Sequence, residues 1–164
     1  MLDFDSIYRR YWPDVLRFSL YLCGNTAEAE DLAATTFLRA LTSTRPVRLP
    51  SIKAYLFVVA RNLYRDHLRR IAKRRSHELT DTHPDPRGGP HGPMEQREEL
   101  ATTLAALQQL CEEDREVLSM ATFDELPQAE IAAALGVSVS TIKVRIHRAR
   151  MRLHEILKDY RRES

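Results

Sequence analysis

The side chains in this sequence whose type and spacing could do chemistry are cations. Arg61, Arg65, Arg69, Arg70, Lys73, Arg74 and Arg75 fall in one stretch whose single acid is Asp66. Lys143, Arg145, Arg148, Arg150 and Arg152 fall in another, from Ile142 to His154, that holds no acid. Between them, Glu95, Glu98, Glu99, Glu112, Glu113, Asp114 and Glu116 outnumber Arg97 and Arg115. The net charge of +2 averages over this segregation. Two basic blocks around an acidic one predict two surfaces that bind a polyanion. Cations contact phosphates, and an Arg can also read a guanine edge.

Catalytic chemistry finds no comparable support. The sequence has no Gly-rich phosphate loop, no Cys/His metal spacing and no nucleophile–base pair. Asp66 and His67 are neighbours on a predicted helix, so their side chains diverge by about 100° and cannot act together. His77, His83 and His91 lie near Asp81 and Asp85, but in a Pro/Gly-rich stretch that offers no rigid frame for a metal. The chain therefore reads as a non-enzyme with no cofactor and no metal. Cys23 and Cys111 each sit in an apolar-periodic stretch and read as reduced, partly buried thiols, with a disulfide between them as the alternative. No apolar run approaches the roughly 20 residues of a membrane span. The N-terminus lacks a basic head followed by an apolar stretch, so the expected compartment is the cytoplasm.

Helices must position these cations. Phe4, Ile7, Tyr8, Tyr11, Val15, Phe18 and Leu22 have helical spacing, and Gly24-Asn25-Thr26 breaks it. Thr26 then predicts an N-cap, with Glu28 and Glu30 in the first turn. That helix runs to about Leu41, and a loop with Pro46 and Pro50 follows. Ile52, Tyr55, Leu56, Val59 and Leu63 mark a third helix that carries the first basic block. The pattern stops between His77 and Pro93. Pro84, Pro86, Pro90 and Pro93 are four of the chain's eight prolines, and Gly88, Gly89 and Gly92 three of its five glycines. Such a segment buries too little apolar surface to offset the entropy of ordering, and reads as a flexible linker. Leu100, Leu104, Leu107 and Leu110 restore helical spacing, and a short helix over Arg115 to Ala121 follows. No segment alternates with period two. The predicted fold class is all-α: two small helical domains, 1–76 and 94–164, joined by the linker 77–93.

The most specific local pattern runs from Leu126 to Lys143. Pro127 suits a first helical turn. Ile131 and Leu135 point inward, and the small Ala132 lets a second helix cross closely. Gly136 ends the first helix, and Ser138 can cap the second. The second helix carries Ile142, Ile146, Ala149, Leu153 and Ile156 on one stripe, with Lys143, Val144, His147, Arg148 and Arg150 off it. An inward apolar stripe with a basic outer face predicts a helix-turn-helix whose second helix enters the major groove.

Three motifs, in order, resemble the extracytoplasmic-function, or group IV, sigma factors across nearly the whole chain. Ala29-Glu30-Asp31-Leu32 with Thr36-Phe37-Leu38-Arg39-Ala40 resembles region 2.2. Ala54 to Leu63, continuing through Asp66-His67-Leu68-Arg69-Arg70, resembles regions 2.3 and 2.4. Glu130-Ile131-Ala132, Leu135-Gly136-Val137 and Thr141 to Arg150 resemble region 4.2. The resemblance implies a subunit that binds core RNA polymerase, through the β′ clamp and the β flap, and directs it to promoter DNA.

The resemblance also implies roles for individual residues. Asp31, Leu32, Phe37 and Arg39 would meet the polymerase, although Leu32 and Phe37 also read as core. Asn62 matches the position that lines a pocket for a base flipped from the −10 element, and its amide offers donors and an acceptor for a base edge. Arg61, Arg65, Asp66 and Arg69 would flank it. Arg45 and Arg48, in the loop from Ser43 to Ser51, would help hold the unpaired strand. Lys143, Val144, His147 and Arg148 would face the −35 element, with Thr141 and Arg145 on the DNA backbone. Val144 stands where Ser is common, which predicts apolar contact in place of a hydrogen bond. Relatives are often held inactive by an anti-sigma factor, a further expected partner. The alternative is a stand-alone helix-turn-helix regulator, which accounts for 94–164 and leaves the first basic helix without a role.

Overall fold

In a computed structural model, residues 3–44, 49, 51–77, 94–123 and 125–163 are described. Residues 78–93 of the expected linker 77–93, with His83, His91, Asp81 and Asp85, lie outside them, as do Arg45 and Arg48 of the expected loop, whereas His77 is the last residue of the third helix. Every regular element among the described residues is helical. Three helices precede the linker: α1 (Phe4–Cys23), α2 (Thr26–Thr42) and α3 (Ile52–His77). Four follow it: α4 (Met94–Gln108), α5 (Glu112–Leu118), α6 (Gln128–Leu135) and α7 (Val139–Glu163). A single π-helical turn, Ser119–Phe123, follows α5.

Local chemistry sets the helix ends. The carboxylate of Asp3 accepts the Ser6 N–H at 2.7 Å and starts α1. Gly24, at φ 72°, ends it with its N–H on the Leu20 carbonyl. Asn25, not Thr26, caps α2: its backbone is extended and its side-chain oxygen accepts the Glu28 N–H at 3.0 Å, which leaves Thr26 as the first helical residue. The short helix begins at Glu112, three residues ahead of the expected start, because its acidic first turn suits the positive end of a helix dipole.

The first bundle closes around aromatic contacts. Phe18 and Phe57 stack with ring centroids 4.4 Å apart and are fully buried. Phe37 packs edge-on against Tyr8 at 5.1 Å, beside Trp12. On α2 the buried stripe is Ala29, Ala33, Thr36 and Phe37, whose small members let α1 come close. After Leu68 no described residue of α3 is buried, so the basic end of that helix projects from the bundle.

The two halves share one core. Val15, Phe18, Leu22, Phe57 and Tyr64 from the first join Val117, Met120, Leu126, Ile131, Ile142 and Ile146 from the second in one apolar cluster. Leu20 and Tyr21 also pack on the second cluster, built from Leu104, Leu107, Leu110, Leu118, Ala149 and Ile156. Polar contacts reinforce the junction. The Gln108 amide donates to the carbonyl of Leu22 at 3.1 Å, in the last turn of α1, and Ser51 donates to Glu130 at 2.9 Å.

Candidate nucleic-acid interface

The helix-turn-helix forms as its sequence directs. Pro127 is the N-cap of α6 rather than its first helical residue. Gly136, at φ 69°, closes α6 with its N–H on the Ala132 carbonyl. The Ser138 hydroxyl accepts the Thr141 N–H at 3.1 Å and starts α7. Ile142, Ile146, Ala149 and Ile156 are buried and Leu153 is half-buried. Lys143, Val144, His147 and Arg148 are exposed on the other side, with Val144 63% exposed. Thr141 and Arg145 are half-buried at the margin. The structure thus gathers the six residues expected to meet the −35 element along one end of α7.

Two acids of α5 lie behind this edge. Asp114 accepts from Arg148 through Nη2 at 2.6 Å and through Nε at 3.0 Å. Glu113 stands 3.7 Å from Arg145. The hydrogen bonds to Asp114 raise the pKa of the Arg148 guanidinium above its ordinary value.

The second cationic surface is arranged differently. Asn62 is exposed on α3, where its side-chain oxygen accepts from Arg61 at 3.1 Å, and Asp66 pairs with Arg69 at 3.1 Å in solvent. Arg61 and Arg65, however, turn toward the other half of the chain. Arg65 donates to both oxygens of Glu116, at 2.7 and 2.9 Å, and Arg61 donates to one of them at 2.9 Å. The Glu116 side chain is 3% exposed. These two cations, expected on single-stranded DNA, are held here by a carboxylate.

The expected polymerase-binding residues separate into surface and core. Asp31 and Arg39 are exposed, and Leu32 is half-buried. Asp31 and Leu32 line a groove of about 260 Å³ with Thr35, Tyr64 and His67. Phe37 is core, 3% exposed, because the Tyr8 and Trp12 rings cover it. Its neighbours Leu38 and Leu41, 64% and 46% exposed, hold the apolar surface that the sequence assigned to Phe37. Glu116, Asp114 and Gln108 were not singled out from sequence. The only signal for the first two was the acidic block between the basic ones.

Of the thiols, Cys23 is half-buried and Cys111 is exposed, contrary to the partly buried pair expected. Cys111 is the N-cap residue of α5, at the surface end of its apolar stretch. Burial pushes the Cys23 thiol up to about 11. Both cysteines are free.

Comparison with known proteins places both halves in described families. Residues 7–75 match the family described as sigma-70 region 2, and residues 100–153 the family described as sigma-70, region 4. The ECF RNA polymerase sigma factor SigM of Bacillus subtilis is 30% identical, over 93% of this chain and 93% of that protein. SigE of Mycolicibacterium smegmatis is 29% identical over the full chain, which spans 65% of that protein's length. Among solved structures, the sigma factor RpoE of Bartonella quintana, crystallised with the anti-sigma factor NepR, superposes with a TM-score of 0.77 at 26% identity, over 95% of this chain and 97% of that one.

Proposed function

The chain belongs to the ECF RNA polymerase sigma factors of the sigma-70 family, and from that premise we propose how its surfaces divide the work. The protein binds core RNA polymerase and directs it to promoters. Residues 94–164 recognise the −35 element as duplex, with α7 in the major groove. Residues 1–76 recognise and melt the −10 element, with Asn62 on a flipped base and Arg61, Arg65 and Arg69 along the strand. Arg45 and Arg48 would add phosphate contacts from the loop. Capturing an unstacked base costs a few kcal/mol, which binding energy offsets without nucleotide hydrolysis. The exposed helix face with Asp31, Arg39, Leu38 and Leu41 docks on the β′ clamp, and the second domain on the β flap. The chemistry of RNA synthesis belongs to the polymerase, and the chain itself supplies no catalytic group. It acts where the polymerase is, in the cytoplasm.

The observation that carries this reading is α7, with Ile142, Ile146 and Ala149 buried while Lys143, Val144, His147 and Arg148 are exposed. The packing of the two halves adds a step. While Glu116 holds Arg61 and Arg65 it offsets the charge that a strand's phosphates would seek, so the arrangement described here would open before the −10 element is held. An anti-sigma factor, the class of partner crystallised with the Bartonella quintana protein, would keep it closed if it clasped both halves of this chain.

Run-off transcription with core polymerase tests the proposal. The chain should start RNA at particular sites, and Asn62→Ala should lower initiation there while leaving core binding intact. Equal initiation by Asn62→Ala would refute the pocket assignment. Specific, tight duplex binding without core would favour a stand-alone regulator.

A further inference from the structure

The contact between Asp114 and Arg148 has a geometry that decides what Arg148 can do. The Asp114 carboxylate lies side-on to the guanidinium, taking Nε–H and one N–H of Nη2. A guanidinium has five N–H groups, so three remain. Two of these, one on each terminal nitrogen, form the end-on pair that matches the two acceptors of a guanine in the major groove. Arg148 keeps 55% of its side chain exposed while Asp114 keeps 8%, so the carboxylate is the buried partner and the N–H groups it leaves belong to the open side chain.

Ordinary helix electrostatics do not account for this placement. Glu112 and Glu113 share the first turn of α5 with Asp114 and would complement its dipole equally well, yet both are exposed. Asp114 alone of the three is buried, with its oxygens aimed across at α7. A carboxylate so close also makes Arg148 a poor phosphate ligand, because it cancels the charge a phosphate would seek. What it leaves intact is direction. A base edge is recognised by direction, a phosphate mostly by charge.

We propose that Asp114 is a positioning residue for promoter specificity: it fixes the Arg148 guanidinium so that its end-on edge reads a guanine of the −35 element. The inference rests on the proposed placement of α7 on that element. Asp114 itself touches no base.

The experiment uses the chain assembled with core polymerase, on promoter duplexes carrying each single base-pair substitution across the −35 element. Arg148→Ala should abolish the preference at one base pair. Asp114→Ala should weaken the preference at that same pair roughly tenfold and leave the other pairs unchanged. Its affinity for non-promoter duplex should stay equal or rise, since an anion has left a DNA-facing surface. Asp114→Asn, which keeps one acceptor for Nε–H, should restore part of the preference. An Asp114 that only supports the fold would instead lower affinity at every pair alike and weaken non-promoter binding with it. That outcome overturns the proposal, as does an Asp114→Ala or Asp114→Asn profile superimposable on the parent. If Arg148→Ala leaves every preference intact, the assignment of Arg148 to the −35 element is what fails, and the proposal falls with it.

Discussion

Glu116→Gln should release the two halves of the protein from each other. The carboxylate is buried and receives three N–H bonds from Arg61 and Arg65 at 2.7–2.9 Å. Glutamine keeps the volume, but it removes the charge and replaces one acceptor oxygen by a donor that faces a cation. Each bond to a charged partner contributes about 1.5–3 kcal/mol. Removing one member of a buried ion pair costs about 3–5 kcal/mol. The Arg61 and Arg65 side chains keep 20% and 24% exposure and can rehydrate in place, so the cost falls to the bottom of that range or below it. The expected loss is about 2–3 kcal/mol, or roughly a 30- to 150-fold shift from the packed toward the open arrangement. The shared apolar cluster remains, so the shift is partial. Small-angle scattering should report a larger radius of gyration, and amides around Val117 to Met120 and Leu56 to Tyr64 should exchange faster. Freed of Glu116, Arg61 and Arg65 should also bind a single-stranded −10 oligonucleotide more tightly than in the parent chain. A variant with unchanged scattering, exchange and strand affinity would refute the account of this contact.

Other outcomes follow from the same geometry. At neutral pH a maleimide should modify Cys111 quickly and Cys23 only after unfolding, because Cys23 is half-buried and its thiol is raised to about 11; mass spectrometry of the labelled peptides checks this. Burial raises Cys23 from 9.0 to about 11 and Tyr64 from 10.0 to about 12. The folded state therefore holds these protons more tightly than the unfolded one. Stability should be unaffected by these groups below about pH 9 and should fall as pH rises from there toward 12, with Cys23→Ser removing part of the slope in denaturant titrations. Gly136→Ala should cost about 1 kcal/mol through its positive φ alone, since among the described residues no packing neighbour lies within 4 Å of the added methyl. Gly24→Ala should cost more, because its methyl would meet the Gln108 side chain at 3.0–3.1 Å and disturb the bond that joins α4 to the end of α1.

What could be read from the sequence follows from how local each feature is. The helix-turn-helix was legible because its determinants lie within a few residues of one another: Gly136 at positive φ, the Ser138 cap, and a stripe at helical spacing. The helices and the all-α class were legible for the same reason. The cap of α2 was misplaced by one residue because Asn25 and Thr26 can both cap, and only the backbone of Asn25 decides. Phe37 carried two readings that periodicity cannot separate, since core and docking face both need apolar residues on α2. Glu116 and Asp114 were invisible as site residues because their partners are 51 and 34 positions away in the chain, and their acidic block marked a charge without an address. Nothing in either half's own pattern shows that Val117, Met120 and Ile131 complete the core begun by Val15 and Phe18.

The most direct test of the whole account is reconstitution. Purified chain mixed with core polymerase should start RNA synthesis at a restricted set of promoters, the start sites should depend on both a −35 and a −10 sequence, and Lys143→Ala with Arg148→Ala should remove the −35 dependence. Transcription no more selective than that of core polymerase alone would contradict it.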